Sequence, residues 1–226
     1  MSTRREVLGW LVAGSAAIAL AGCTTSGGPG GESDGVKLSM AGGPTDWSSM
    51  YGAQKDGAYK LPAIPYQKVP QQYRRQIVSY FGKEKPDTIV VDTKGHHLYY
   101  IYPGRKAVRY GVGVGREGFA WDGNAVMQWK REWPRWTPPE EMIQRKPELR
   151  KYSASNGGMN PGLDNPLGAR AMYLFADGKD TGYRLHGSPE WWSIGTNASS
   201  GCIRLMNQDV IDLYARVKNG TKVVVK

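Results

Sequence analysis

The chain has 226 residues, a formal net charge of +10, 40% apolar residues and only two cysteines. This length and apolar content suit one globular domain together with an export signal and a tether. A disulfide between the two cysteines is excluded, because the first of them ends a predicted signal peptide. The positive charge attracts polyanions, and since exported proteins rarely meet nucleic acid, wall polymers, lipid head groups and peptide-stem carboxylates are the expected partners.

The N-terminal segment has the features of a bacterial export signal. Arginines at positions 4 and 5 precede an apolar run, residues 7–21, that is too short to span a membrane. Residues 20–23 read Leu-Ala-Gly-Cys and resemble the lipobox of bacterial lipoproteins, in which the cysteine is lipidated. We therefore expect residues 1–22 to be removed and Cys23 to carry the lipid. An ordinary signal peptide with a chance cysteine is the alternative, and the paired arginines also resemble a twin-arginine signal.

Two segments of different character follow the signal. Residues 23–58 are predicted to form a flexible tether, because Gly, Ser, Thr and Pro predominate in most of this stretch. Residues 59–86 are expected to lie as a strap along the main domain rather than to form a second one. Within this strap, Gln71 to Phe81 is predicted to form one short helix. The main domain is assigned to residues 87–226.

From residue 87 onward the pattern is mainly that of β-strands separated by turn residues. Short strands are predicted at residues 88–91, 98–102, 108–114, 171–175, 183–186, 202–205 and 222–225. Helices are predicted near Pro139–Lys146 and from Asn207 to Val217. Residues 116–168 otherwise read as a long irregular loop, of a length that usually carries function. The predicted fold class is therefore mainly β, with an antiparallel meander at its start and a few short helices.

Two of the predicted strands combine a histidine and a cysteine with alternating apolar residues. In an extended strand, Arg184 and His186 share the face opposite their apolar neighbours. Ser200, Cys202 and Arg204 likewise point away from the apolar residues between and beyond them. This spacing brings a thiol and an imidazole to one polar surface, which is the arrangement that an activated cysteine nucleophile requires.

The neighbours of Cys202 suggest how its thiol is activated. We expect His186 or Arg204, as a nearby cation, to lower the pKa of the Cys202 thiol. Gly201, just before the cysteine, permits a tight turn whose backbone amides form an oxyanion hole. The alternative is a buried, inert cysteine beside a surface histidine. It is disfavoured because a free thiol is a liability in an oxidising compartment and the neighbouring residues are small and polar.

These residues resemble the active-site signature of the L,D-transpeptidase catalytic domain, also called the YkuD domain. That family carries an upstream His-Gly pair, here residues 186–187, and a longer run around Gly-Cys. Here that run, residues 199–207, reads Ser-Ser-Gly-Cys-Ile-Arg-Leu-Met-Asn. Residues 88–92 and 165–168 also resemble family features. The resemblance covers residues 87–226 and implies a YkuD-like antiparallel β-sandwich with a long loop insertion.

The resemblance also implies a role for individual residues. Cys202 is the nucleophile, and His186 is the base that shuttles protons. A backbone carbonyl just after the histidine, that of Gly187 or Ser188, orients the imidazole. The amides of Gly201 and Cys202 hold the oxyanion.

One position departs from the family pattern, because the histidine common just before Gly-Cys is Ser200 here. An alcohol is too weak a base near neutral pH, so Ser200 is expected to support the thiol by hydrogen bonding and to leave proton transfer to His186. Arg204 is expected to fix the site or to hold a substrate carboxylate.

No metal or other cofactor is expected. His96 and His97 are adjacent, so in a strand they face opposite ways and cannot chelate one ion together. Tryptophan side chains near the long loop could instead line a substrate groove, stacking on glycan rings, or could simply pin the loop to the sheet. The candidates for such a groove are Trp129, Trp133, Trp136 and Trp191.

The reaction that the resemblance implies is a two-step acyl transfer on peptidoglycan. Cys202 attacks the carbonyl of the third residue of a tetrapeptide stem, D-alanine leaves, and an amine of another stem or of an acceptor protein resolves the acyl-enzyme. A hydrolase, in which water resolves it, and a non-catalytic wall-binding lipoprotein are the alternatives. Thr24 follows the lipidated cysteine in place of the aspartate of inner-membrane lipoproteins. The protein is therefore expected to face the periplasm and, in a Gram-negative cell, to lie in the outer membrane.

Overall fold

The computed structural model describes residues 45–116 and 122–226. The predicted signal peptide, the lipobox with Cys23 and the first part of the predicted tether lie outside the described residues. Within the described ranges, no helix is long and apolar enough to cross a bilayer.

Strands dominate the described part of the chain, as the sequence predicted. The strands are β1 (Gln54–Asp56), β2 (Tyr59–Leu61), β3 (Gln76–Ser79), β4 (Ile89–Asp92), β5 (His97–Tyr102), β6 (Lys106–Gly111), β7 (Gly123–Glu132), β8 (Arg170–Ala176), β9 (Lys179–Ser188), β10 (Ile203–Met206) and β11 (Thr221–Val225). The α-helices are α1 (Trp47–Met50), α2 (Glu140–Arg145) and α3 (Asn207–Arg216). Short 3₁₀ turns lie at Tyr66–Lys68, Gln71–Tyr73, Pro147–Tyr152, Ala154–Asn156 and Trp191–Ser193.

Nine strands form one mixed sheet in the order β10-β9-β8-β7-β11-β4-β5-β6-β3, and β1 and β2 form a separate hairpin. The meander β4-β5-β6 is antiparallel, as predicted. Two pairs, β10 with β9 and β11 with β4, are parallel, which makes the sheet mixed where the resemblance implied an antiparallel one. Between β9 and β10, residues 189–202 carry the chain back along the sheet, and a connection of this length is what a parallel pair requires.

The sheet folds back on itself around one apolar core. Ile89, Leu98 and Leu185, from distant strands of the sheet, are fully buried in that core together with Leu213 of α3. Beyond the end of β6, Gly113 forms an antiparallel bridge with Arg204 in β10. The end strand β10 is therefore joined to the segment that follows β6, near the other end of the sheet, and this bridge holds β10 in place.

The prediction of a loop throughout residues 116–168 is wrong, because β7 lies within that stretch. This ten-residue strand occupies the middle of the sheet, between β8 and β11. Ala125 and Met127 are buried while Val126 and Gln128 are exposed, which is the alternation of a half-buried strand. The alternation is visible in the sequence at residues 125–128.

The helix predicted for Gln71 to Phe81 is also wrong. The chain there forms a 3₁₀ turn at Gln71–Tyr73 and then β3, which pairs antiparallel with β6. Ile77 and Val78 are β-branched and favour an extended backbone. The pairing also satisfies backbone groups that β6 would otherwise expose at the sheet edge.

The predicted tether ends earlier than residue 58, because α1 and β1 are folded. Tyr51 is fully buried. Its hydroxyl accepts a hydrogen bond from the Arg75 amide at 2.6 Å and donates one to the Asp209 carboxylate in α3 at 3.2 Å. Residues 45–86, here called the N-terminal strap, are therefore built into the fold.

Candidate active site

The register of β9 and β10 places the predicted residues on one surface. In this parallel pair Arg204 lies opposite His186, and Ile203 lies opposite Leu185. Leu185 and Ile203 are buried in the core. Because side chains alternate along a strand, His186 and Arg204 project from the other face together with Cys202, which immediately precedes β10.

His186 is a buried, neutral base with a fixed orientation. Only 4% of the residue is exposed, and Nδ1 lies 2.6 Å from the carbonyl oxygen of Gly187. A carbonyl oxygen only accepts hydrogen bonds, so Nδ1 carries the hydrogen and the lone pair of the neutral ring is on Nε2. Burial lowers the pKa of His186 to about 4; the bond to Gly187 opposes this shift, and the Arg204 and Arg184 cations reinforce it. The resemblance left Gly187 and Ser188 as candidates for orienting the imidazole, and the carbonyl is that of Gly187.

Close packing fixes the peptide that orients this imidazole. A β-carbon at Gly187 would stand 2.3 Å from the side-chain oxygen of Asn207 and 2.9 Å from Val210 Cγ1, so a glycine is required. The Asn207 oxygen also accepts a hydrogen bond from the Ala169 amide at 2.9 Å. Asn207, the first residue of α3, therefore connects the start of β8 to the end of β9 that carries His186.

Cys202 is a free, partly exposed cysteine whose thiol lies in a crowded environment. Its Sγ lies 3.9 Å from the carbonyl oxygen of Gly182, at the distance of a weak S–H···O hydrogen bond. Burial raises the pKa of the Cys202 thiol, while a backbone hydrogen bond from Arg184 and the Arg184 and Arg204 cations act to lower it. The expectation of a depressed thiol pKa is therefore wrong, because desolvation outweighs these cations and His186 is neutral.

Ser199, which the sequence analysis did not single out, is the serine that braces the cysteine. It is buried, its Oγ donates a hydrogen bond to the Cys202 carbonyl at 2.5 Å, and its Oγ accepts one from the Gly201 amide at 3.1 Å. The Ser199 amide in turn donates to the Val114 carbonyl at 3.0 Å. Ser200 is exposed, so the expectation that Ser200 supports the thiol is replaced by a role for its neighbour.

Gly201 makes the turn into the nucleophile, as predicted. Its φ of 118° lies in a region that side chains with a β-carbon rarely adopt. The Gly201 amide, however, already donates to Ser199. The amide of Cys202 is therefore the stronger candidate for holding an oxyanion at this turn.

Arg204 is fixed at both its backbone and its side chain. Its amide and carbonyl exchange hydrogen bonds of 2.8 and 2.9 Å with Gly113, and its guanidinium lies 2.7 Å from the Glu190 carboxylate. Ser188 is buried, and its hydroxyl accepts a bond from the Glu190 amide at 3.1 Å. This arrangement supports the interpretation that Arg204 fixes the site. Glu190 was missed because no local sequence pattern connects it to Arg204.

Residues 86–225 match the family model of the L,D-transpeptidase catalytic domain, YkuD. The chain belongs to the L,D-transpeptidase family. A probable L,D-transpeptidase of Escherichia coli, YcfS, is 35% identical over 147 residues, which are 60% of this chain and 42% of that protein. The probable L,D-transpeptidase ErfK/SrfK of the same organism is 35% identical over 150 residues, which are 61% of this chain and 44% of that protein.

These curated relatives are longer proteins, and the chain spans less than half the length of each. A crystal structure from Brucella melitensis, described as a probable carnitine operon oxidoreductase, is 46% identical. The match covers 72% of this chain and 99% of that chain, with a TM-score of 0.48.

The four candidate tryptophans of this L,D-transpeptidase domain lie in different places. Trp133 donates from its indole nitrogen to Asp56 at 2.8 Å and packs on the Tyr59 ring, so it holds the β1–β2 hairpin. Trp191 packs against the apolar cluster of the N-terminal strap. Trp136 lies close to the ring of Tyr152, in the segment after β7.

Trp129 is placed on the sheet face that carries Arg184 and His186. It lies opposite Tyr173 in β8, which in turn lies opposite Arg184 in β9. The Trp129 and Tyr173 rings are stacked, with their centroids 3.5 Å apart. Because Tyr173 covers one face of Trp129 and the Arg131 guanidinium lies over its ring, a glycan would have to displace one of them to stack there.

The histidines outside the site have structural partners. His96 Nε2 lies 2.8 Å from the Asn197 side-chain oxygen, and His97 Nε2 lies 3.1 Å from the Gln72 carbonyl. Across residues 45–116 and 122–226, no group of three or more histidine, cysteine or acidic side chains is arranged to hold a metal ion.

Proposed function

We propose that this chain is a cysteine L,D-transpeptidase that acts on the tetrapeptide stems of peptidoglycan through Cys202. The observation that carries the proposal is the neutral, oriented imidazole of His186 on the face that also presents Cys202. Membership of the L,D-transpeptidase family supports the reaction class.

The geometry supports acylation by general-base catalysis. As Sγ attacks the carbonyl carbon of the third stem residue, the thiol proton passes to Nε2 of His186. Proton transfer accompanies attack, because burial keeps the resting thiol protonated. The Cys202 amide stabilises the negative charge that develops on the carbonyl oxygen. When the C–N bond breaks, the D-alanine amine takes the proton from His186 and leaves a thioester on Cys202.

The second half of the reaction regenerates the thiol. An amine of a second stem, or a lysine of an acceptor protein, attacks the thioester carbonyl and gives its proton to His186. The C–S bond then breaks and the proton returns to Sγ, so that the products are a new amide and the free enzyme. Every group used in this sequence belongs to the chain or to its substrates, and no cofactor is required.

The cellular setting that we propose follows from the N-terminal sequence. The lipobox ending at Cys23 supports export and lipid anchoring at the cell envelope, with the catalytic domain facing the periplasm. In a Gram-negative cell, Thr24 favours the outer membrane. Peptidoglycan stems would be within reach of a domain tethered in this way, whereas nucleic acid would not.

Incubation of the purified protein with muropeptides, followed by mass spectrometry, tests the proposed function. Transpeptidation predicts loss of D-alanine together with dimeric products. Loss of D-alanine with water as the acceptor would identify a hydrolase instead. Muropeptide binding without any product would indicate the wall-binding alternative. Cys202→Ala is the catalytic control, and an active Cys202→Ala variant would overturn the assignment of the nucleophile.

A second test uses carbapenem β-lactams, which the family resemblance predicts will acylate Cys202. The intact mass of the wild-type protein should rise by one drug molecule, and that of Cys202→Ala should not change. An adduct that persists in the variant would contradict the proposal.

A further inference from the structure

Strand β9 contains a β-bulge next to the nucleophile. The register between β8 and β9 shifts between Tyr173 and Phe175, so residues 181–183 of β9 stand against Leu174 alone. The Thr181 hydroxyl donates to the Leu174 carbonyl at 2.7 Å and secures the bulge. Bulges commonly redirect groups beside active sites, and here the carbonyl of Gly182, from the bulge, lies 3.9 Å from Cys202 Sγ.

Asp180 holds the bulge and a cation together. Its Oδ1 accepts hydrogen bonds from the Gly182 amide at 2.9 Å and from Arg184 Nη1 at 2.7 Å. Its Oδ2 accepts from Arg184 Nη2 at 2.8 Å. One carboxylate therefore fixes both the backbone that faces the thiol and the guanidinium on the same strand.

The guanidinium of Arg184 is held from further directions. It lies 4.4 Å from the centroid of the Tyr173 ring, and it also donates to the Tyr183 carbonyl at 2.9 Å. Tyr173 is itself stacked on Trp129, and Arg131 lies over the Trp129 ring 5.7 Å from its centroid. The resulting stack places Arg184 at the end nearest the nucleophile and Arg131 at the opposite end.

Arg184 lies next to Cys202 across the strands. Ile203 pairs with Leu185, so Cys202 and Arg184 are the preceding residues of the two parallel strands and share a face. The backbone of Arg184 and its cation both act to lower the pKa of the Cys202 thiol, against the effect of burial. Among the residues that the structure describes, the other charged or titratable groups around the thiol are His186, Arg204 with its partner Glu190, and Asp180. Both cations are ion-paired, Arg204 with Glu190 and Arg184 with Asp180. Arg184 occupies the register position beside Cys202, and it favours the charged form of the thiol more strongly than Arg204 does.

We propose that Arg184, held by Asp180 and Tyr173 beside the β9 bulge, is a positioning residue whose positive charge stabilises the negative charge that forms on the Cys202 sulfur. The inference rests on the proposed role of Cys202 as the nucleophile. It assigns Asp180, Gly182 and Arg184 to the site, although the family signature does not include them. Arg184 acts through the sulfur and its surroundings rather than by taking a proton or by binding the reacting carbonyl.

The test is the rate of Cys202 alkylation by iodoacetamide as a function of pH, because only the thiolate reacts. Arg184→Gln removes the cation and should move the midpoint of the profile to higher pH, slowing alkylation at neutral pH by about threefold to tenfold. Arg184→Met is a second neutral variant that retains an apolar stem over Tyr173. Arg184→Lys keeps the charge and should recover most of the wild-type rate.

Arg131→Gln is the matched control, since it removes the same charge from the far end of the same stack. Its alkylation profile should match that of the wild-type protein. Circular dichroism and thermal melting identify which variants are folded. A wild-type midpoint in a folded Arg184→Gln or Arg184→Met variant would overturn the inference, as would an equal shift in Arg131→Gln.

Failure of the inference about Arg184 can be distinguished from failure of the proposed transpeptidase function. If alkylation follows the expected pattern but muropeptides are not converted, the inference stands and the proposed transpeptidase activity fails. If muropeptides are converted while neutral variants of Arg184 alkylate as the wild type does, the proposed activity stands and the inference fails.

Discussion

The hydroxyl of Ser199 donates a hydrogen bond to the carbonyl oxygen of Cys202 at 2.5 Å, so a buried serine secures the peptide unit of the nucleophile. The neighbouring Ser200 faces solvent. These two residues occupy the start of the motif run, yet the structure gives only one of them a contact with the cysteine backbone. Substitution at the two positions should therefore have different consequences.

We expect Ser199→Ala to slow acylation of Cys202 and Ser200→Ala to leave it nearly unchanged. Losing the buried Ser199 hydroxyl costs on the order of 1 kcal/mol, which corresponds to a several-fold lower rate. His186→Ala is the reference for a lost base and should cost roughly a hundredfold to ten-thousandfold. Single-turnover acylation by a stem tetrapeptide measures all three. If Ser200→Ala proved as damaging as His186→Ala, the division of roles would be wrong.

As the pH is lowered, activity should be lost only at an unusually low pH. Burial lowers the pKa of His186 to about 4, so the neutral base persists as the pH falls and is lost only when the pH approaches that value. The value of kcat/KM for acylation should therefore remain steady from neutral pH to about pH 5 and fall near pH 4, once corrected for unfolding. A limb with a midpoint near 6.5, the ordinary value for histidine, would mean that His186 is solvated.

Gly187→Ala should impair catalysis through the orientation of the imidazole. The added methyl would stand 2.3 Å from the Asn207 oxygen, so the peptide whose carbonyl holds His186 must move. We expect at least a roughly tenfold loss of acylation rate and a destabilisation of about 1–3 kcal/mol from overpacking. Gly162→Ala is the control, since a β-carbon there meets no atom within 4 Å. A fully active Gly187→Ala variant would show that the carbonyl contact is dispensable.

Asp209 should make stability depend on pH in the neutral range. It is fully buried, and burial raises its pKa to about 7 although Arg75 opposes the shift. Because the folded-state pKa is raised above the ordinary value of 3.8, the stability that the protonated form contributes is present at low pH. That stability is lost as the pH rises toward 7.

Replacing Asp209 with Asn removes this dependence. The unfolding free energy of Asp209→Asn relative to the wild type should rise between about pH 4 and pH 7, by at most about 1.4 kcal/mol per pH unit. Asp212 is the control, because its pKa is lowered and the stability that its charged form contributes is lost only below about pH 4. The unfolding free energy of Asp212→Asn relative to the wild type should therefore stay constant between about pH 4 and pH 7. Denaturant titrations across this range measure both, and a flat difference for Asp209→Asn would contradict the assignment.

Apart from β7, the parts of the fold that depend on a two-residue period could be predicted from the sequence. The shared face of His186, Cys202 and Arg204 is of this kind, because it follows from alternation along two short strands. The location of β3 depends on pairing with the distant strand β6, so local helix periodicity was misleading there. The parallel pairing of β9 and β10 likewise depends on the path of the connection between them.

The thiol pKa and the ion pairs of the site could not be predicted from alternation along the strands. A lowered pKa was predicted for Cys202 from its cationic neighbours in sequence, but the desolvation that outweighs them comes from the packing of several elements. Glu190 and Asp180 hold Arg204 and Arg184, and each pairing requires knowledge of the tertiary structure. The choice between Ser199 and Ser200 depended on the turn at Gly201, which rotates successive side chains away from simple alternation.

The N-terminal strap lies almost entirely outside the family domain but belongs to the folded unit. The family model begins at residue 86, yet the counter-ion of Asp209 is Arg75, which precedes that boundary. A protein cut at the boundary of homology would leave the buried Asp209 without the cation that favours its charged form, and removing one partner of a buried pair is destabilising. Since α3 carries both Asp209 and Asn207, that cost would be felt at the peptide holding His186. The family domain and the cooperatively folded unit thus have different lengths, and a truncated protein should retain the N-terminal strap.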